Sequence, residues 1–161
     1  MTTANVGADL ATRGDVEALL RRFYGRVLAD ELLEGLFVEI RENGLEAHLP
    51  VMCDFWETVL FRAGRYKGSV MSVHQQVHTQ HEFGTEHFLR WLALWFTTID
   101  QMYQGSGAER AKTQATRIAW AMHRQLTGVD AAELDAVISQ QAGTRATRRE
   151  RVRVSDKRRR L

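Results

Sequence analysis

His87-Phe88-Leu89-Arg90-Trp91-Leu92-Ala93-Leu94-Trp95-Phe96 decides how this chain is read. Taken as part of a helix capped near Thr85, it sets Phe88, Trp91, Leu92, Trp95, Ile99 and Met102 on one face at the spacing of helical turns. Trp91 to Phe96 is also the longest uncharged apolar run in the sequence, far short of the roughly 20 residues that a membrane span needs. Working outward, the same period recurs on both sides. Upstream, Asp15 is a good N-cap for a helix burying Val16, Leu19, Leu20, Phe23 and Val27. Residues 30–45 hold a short helical piece with Leu32, Leu33, Leu36, Phe37 and Ile40, ended by Asn43-Gly44. From about Glu46 to Arg62 a stripe of His48, Val51, Met52, Phe55, Trp56, Val59 and Leu60 follows, with Pro50 tolerable near the first turn. A short helix after Gly68 carries Val70, Met71, Val73, His74, Val77 and His78. Downstream, Gly105-Ser106-Gly107 reads as a loop. A last core helix runs from about Ala108 to Leu126 with Ala111, Ala115, Ile118, Ala119, Met122 and Leu126 inward. With one proline and no alternating apolar segment, the expected fold class is all-α.

The 161 residues suit one domain, and 44% apolar with 26% charged residues is ordinary for a soluble globular chain. Residues 1–14 read as a flexible leader, 15–128 as the folded domain and 129–142 as a marginal helix. The opening residues lack a basic head and apolar core, so no secretion signal is expected. A single Cys53 excludes an internal disulfide and fits a reducing cytoplasm. Residues 143–161 carry nine Lys/Arg against two acids, a net +7, which leaves −5 on residues 1–142 of a chain whose total is +2. Such a basic block self-repels and is expected to stay disordered. Contact with nucleic acid is the lesser expectation, because no aromatic ring lies in the tail to stack on bases.

Several residues carry chemistry. His74 and His78 lie four apart, on one helix face. A neutral imidazole is the commonest metal ligand near neutral pH. A partly exposed, satisfied histidine is the commonplace reading of either ring alone. His48 opens an otherwise apolar stripe, and its bland reading is a helix-end ring reaching water. Trp56 lies two turns further along the same face and by itself reads as core. The Tyr24 hydroxyl needs a partner if buried, and the Trp91 indole donates only. No Cys-x-x-Cys-His, zinc-hydrolase helix, phosphate loop or dinucleotide glycine pattern is present. Cys53 falls off the apolar stripe and has no activator in sequence, which reads as an inert thiol.

Phe23-Tyr24-x-x-Val27, His48, Phe55-Trp56, Tyr66-x-Gly68, His74 and His87-Phe88-x-Arg90-Trp91-Leu92, in that order over residues 15–127, resemble the group III truncated haemoglobins. The resemblance implies a two-over-two helical sandwich around noncovalent haem b and its iron. It places Tyr24, His48 and Trp91 on the ligand side. Phe37, Met52, Phe55, Trp56, Tyr66, Met71, Val77 and His78 would line the cofactor. Counting forward from Tyr66-x-Gly68 puts the iron-binding histidine at His74, which Met71 and Val77 flank. Counting back from Trp91 puts it at His78 instead. The chain departs from the family in carrying Val70 where a proline is usual and in lacking the Leu-Pro that usually follows the histidine.

Donors around bound dioxygen imply tight, slow-release binding unsuited to bulk oxygen transport. The implied work is redox, peroxide or nitric-oxide chemistry on dioxygen and other diatomic gases, with a peroxidase-like or nitric-oxide dioxygenase-like activity and an unidentified reductase. One rival is a non-haem metal-binding helical bundle using His48, His74 and His78. It leaves Tyr24 and Trp91 unexplained and lacks the carboxylates of di-iron bundles. A second is a colourless helical interaction module, which accounts for the basic tail alone.

Overall fold

Thr12 and Asp15 start the first helix by exchanging hydrogen bonds. The Thr12 hydroxyl accepts from the Asp15 N–H at 3.2 Å, and the Asp15 carboxylate accepts from the Thr12 N–H at 2.9 Å. Thr12 is therefore the N-cap, three residues ahead of the Asp15 expected there. The computed structural model describes residues 7–62, 84–127 and 136. Those residues form α1 (Arg13–Ala29), a 3-10 turn (Glu34–Phe37), α2 (Val38–Asn43), α3 (Leu45–Phe61), α4 (Thr85–Met102) and α5 (Ser106–Thr127), with no strand among them. The all-α expectation holds for them. Tyr66, Met71, His74, Val77 and His78, like residues 137–161, lie outside the described residues.

α1 packs against α3 and α4, α4 against α5, and α3 also meets α5. The core is where these faces converge. α1 buries Val16, Leu19, Leu20, Phe23 and Val27, and α4 buries Phe88, Leu92, Trp95, Ile99 and Met102. α5 answers with small side chains, Ala108, Ala111, Ala115 and Ala119. The short side chains let its backbone come close to the largest buried ring. The Trp95 indole N–H donates to the Ala111 carbonyl at 3.2 Å.

α3 differs from its expected stripe. Its core face is Leu49, Cys53, Trp56, Glu57 and Leu60, while Val51 is 56% exposed. Cys53 thus belongs to the core, contrary to its expected place off the stripe. Burial pushes its thiol pKa up, which leaves it protonated and inert. Glu57 is held in that interior by Arg13 of α1 at 3.3 Å, and Arg13 also pairs with Asp54 at 2.6 Å. Pro50 sits in the second helical turn, a little deeper than expected, on the exposed side. The C-terminal end of α3 is closed by Arg62, whose backbone N–H reaches Glu57 and Thr58, and by Arg110 of α5 donating to the Leu60 carbonyl at 3.0 Å.

The segment before α1 reaches the core at Leu10, which is fully buried. Asp9 accepts from the backbone N–H groups of Gly107 and Ala108, each at 3.0 Å, capping α5 from a distance. This crossing explains the glycines read as a loop. A Cβ on Gly107 would lie 2.2 Å from the Leu10 carbonyl oxygen, and Gly105 has φ +137. Burial alone would push the Asp9 carboxyl up, but the N–H donors of Gly107, Ala108 and Leu10 and the Ser106 hydroxyl hold it below its ordinary value. A depressed folded-state pKa stabilises above the unfolded value, and that stability is lost as pH falls through the folded one. Asp9→Ala is therefore expected to cost about 0.5–2 kcal/mol at neutral pH. The gap between the urea midpoints of wild type and variant should close in acid; a gap that persists there removes the charged cap.

Candidate functional site

Rings from four separate elements are linked through Phe23 and Trp95. The Phe23 ring touches Tyr24 at 5.2 Å, Trp91 of α4 at 5.6 Å and Trp95 at 4.9 Å between centroids, all edge to face. Tyr24 in turn meets Phe37 from the 3-10 turn at 6.0 Å. On the other side Trp95 stacks on Trp91 at 5.8 Å and on Trp56 of α3 at 4.6 Å, and Trp56 meets Phe55 at 5.3 Å. Five residues singled out in the sequence, Tyr24, Phe37, Phe55, Trp56 and Trp91, thereby join one continuous chain of ring contacts. Phe23 and Trp95 are the bridges. Edge-to-face and offset-stacked pairs of this kind add about 0.5–1.5 kcal/mol each beyond the area they bury.

His48 and Met52 enter by a different route. With Phe55 and Val59 they follow the three-and-four spacing of one α3 stripe, and all four are half-buried. This stripe runs beside the core stripe of Leu49, Cys53, Trp56 and Leu60. No ring contact among the described residues links His48 to the aromatic chain. The His48 Nε2 atom is buried and has no hydrogen-bond partner. An unsatisfied buried polar atom costs about 1–3 kcal/mol, so the fold holds this nitrogen at a standing cost.

Two more polar groups lie beside the aromatic chain. Neither the Tyr24 hydroxyl nor the Trp91 Nε1 bonds to any described residue, and both side chains are half-buried. Burial pushes the Tyr24 phenol well above its ordinary pKa. It therefore stays a neutral O–H donor through the physiological range.

The backbone that carries this site is fixed by ion pairs the sequence did not announce. Asp30, at the end of α1, accepts the Leu32 and Leu33 N–H groups and receives Arg90 of α4 at 2.6 Å. This ties the connection leading to Phe37 onto the helix that presents Trp91. Two histidines are occupied elsewhere. His87 Nδ1 accepts from the Gly84 N–H at 2.8 Å at the start of α4, and buried His123 lies 2.8 Å from the Thr85 hydroxyl. Among the described residues no group of three His, Cys, Asp or Glu side chains could hold a metal ion, and no helix is long and apolar enough to cross a membrane. No family model, curated protein or solved structure matches the chain.

Proposed function

We propose that this chain is a haem b protein of the truncated-globin type, similar to group III, that binds dioxygen and other diatomic ligands for redox, peroxide or nitric-oxide chemistry. The observation that carries this reading is the buried, unpartnered Nε2 of His48 on a half-buried stripe with Met52 and Phe55. A surface that is apolar, left out of the core and provided with one orphaned nitrogen suits a flat apolar cofactor with a polar ligand at its centre. The pairing of α1 with α3 and α4 with α5 supports the two-over-two arrangement.

In this reading Phe37, Met52, Phe55 and Trp56, with Tyr66, Met71 and Val77, wall the cofactor, and His74, or alternatively His78, holds iron through an imidazole nitrogen. Haem b, when bound, supplies an iron that takes a diatomic gas and exchanges electrons with it. The protein residues do the rest. The neutral Tyr24 hydroxyl donates a hydrogen bond to the ligand atom that gains negative charge. Trp91 Nε1–H donates from α4. His48 Nε2 would hold or move a proton as an acid/base group. Several donors retain the ligand and slow its escape, which suits consumption of the gas and not its bulk transport. The electrons consumed call for a reductase partner.

Titrating the full chain with hemin tests the reading. The expected result is a red protein with an intense near-ultraviolet haem band that shifts on reduction and again on carbon monoxide addition. A chain that stays colourless and keeps its folding stability unchanged sinks the proposal, and stoichiometric zinc on a colourless chain would favour the non-haem bundle. Tyr24→Phe removes one charge-assisted hydrogen bond worth about 1.5–3 kcal/mol, so dioxygen should leave roughly ten- to a hundredfold faster. An unchanged dissociation rate in flash photolysis takes Tyr24 out of that role.

A further inference from the structure

The four tryptophans occupy contrasting surroundings. Trp95 is 1% exposed and stacks on both Trp56 and Trp91, at interplanar angles of 22° and 4°. Its Nε1–H points at the Ala111 carbonyl oxygen. Trp120 has the Arg124 guanidinium over its ring, 5.5 Å from the centroid. Indole and phenol are among the side chains that surrender an electron most readily. What remains to decide is where an oxidised side chain would come to rest.

A phenol loses its proton when it loses an electron. Tyr24 has no acceptor among the described residues, and Tyr103 donates to the backbone carbonyl of Asp15 at 3.0 Å, which is not a base. An indole can keep its proton and carry the positive charge as a radical cation. Rings in offset, near-parallel stacks share part of that charge, and a carbonyl oxygen on the N–H stabilises it. Both favour Trp95. At Trp120 the guanidinium repels the same charge. Trp91, half-buried beside Phe23, connects this interior position to the candidate site.

We propose that Trp95, stacked on Trp91 and Trp56, is a one-electron donor that supplies an oxidising centre at the Trp91 end and keeps the resulting radical in the core. Trp95 gives up one electron, the oxidant gains it, and no bond is made or broken because the Nε1 proton stays on nitrogen. Where the oxidant is hydrogen peroxide acting at haem, the inference rests on the proposed function. Two electrons and two solvent protons then turn one peroxide into two waters, with Trp95 passing both electrons one at a time and an external reductant returning each. A small ascorbate-like reductant refills Trp95.

Flash-generated ruthenium(III) tris-bipyridine tests the donor in the full chain without haem. With ring-deuterated tryptophan, electron paramagnetic resonance should show an indole radical that is lost in Trp95→Phe and kept in Trp120→Phe. Near-ultraviolet circular dichroism reports whether each variant folds. Trp91→Phe leaves the buried Trp95–Trp56 pair in place and should weaken the signal by removing the outer step, which covers the case of an unfolded Trp95→Phe. A radical that survives in folded Trp95→Phe, that keeps full intensity in Trp91→Phe, or that resides on Trp120 or a tyrosine overturns the proposal. Repeating the measurement with hemin and hydrogen peroxide separates the two claims. A Trp95 radical with ruthenium alone, in a chain that takes up no hemin, keeps the donor and removes the haem reading. A haem spectrum with no Trp95 radical from either oxidant does the reverse.

Discussion

Phe23→Ala should destabilise the fold by about 3–5 kcal/mol, the range for truncating a buried phenylalanine. The side chain is fully buried, and its ring meets Tyr24, Trp91 and Trp95 edge to face. Truncation removes its transfer free energy, leaves a cavity and abolishes three aromatic contacts at once. The cavity cannot collapse cheaply, because each neighbouring ring comes from a position fixed by its own helix. The urea midpoint should fall with an unchanged denaturant slope. For a domain of ordinary stability, about 5–15 kcal/mol, this is a large share of the total. Because Phe23 is also the bridge between Tyr24 and Trp91, whatever ligand affinity the site has should fall in the same variant. A cost below about 1 kcal/mol would mean that the aromatic chain is not packed as described.

α1 was legible residue by residue. All five residues of its expected stripe, Val16, Leu19, Leu20, Phe23 and Val27, are buried. The reason is that this helix has one apolar face with charged residues opposite, so periodicity has a single solution. α3 was legible only as a helix. It carries two adjacent apolar stripes, Leu49-Cys53-Trp56-Leu60 toward the core and His48-Met52-Phe55-Val59 beside it. A periodic pattern cannot divide a wide apolar surface into two, and it merged them around an exposed Val51. The merged stripe nonetheless held both sets, because a surface apolar enough to line a cofactor is periodic in the same way as one that fills a core.

Long-range caps were invisible for a different reason. Asp9 on Gly107 and Ala108 joins residues 98 and 99 positions apart, and Arg90 on Asp30 joins residues 60 apart, in pairs whose partners any surface acid or arginine could have supplied. Nothing in the local sequence marks them. Gly107 was a usable clue, since a glycine at the first turn of a helix asks what backbone passes close by. At the site, Tyr24, Phe37, Phe55, Trp56 and Trp91 are joined into one chain of ring contacts by Phe23 and Trp95, which sequence reading treats as space-filling core, while His48 stays outside that chain. Their bridging role depends on the crossing of α1, α3 and α4, information that no single helix contains.

His74→Ala is expected to abolish stable hemin binding, while His78→Ala leaves it in place. Iron in a noncovalent haem needs one strong axial nitrogen, and hydrophobic walls alone hold the porphyrin without fixing its orientation. Four residues apart on a helix, the two imidazoles would face the same way, so either could reach a metal that the other misses. On a helix, Met71 and Val77, three residues before and after His74, would give that position an apolar surround on the same face, which is what a buried iron–imidazole bond requires. A ligand present at about a thousand times its dissociation constant stabilises the folded state by about 4 kcal/mol. The thermal midpoint of wild type and His78→Ala should therefore rise with hemin, and that of His74→Ala should not. Free imidazole added to His74→Ala should restore a coordinated haem spectrum, because it fills the space the side chain vacated; rescue by imidazole separates a lost ligand from a misfolded chain. If the pattern is reversed, with His78→Ala losing the haem and regaining it with imidazole, the register counted back from Trp91 is the right one. If neither substitution changes the spectrum, the iron is held elsewhere or not held, and the assignment of Tyr24, His48 and Trp91 to the ligand side loses its geometric basis.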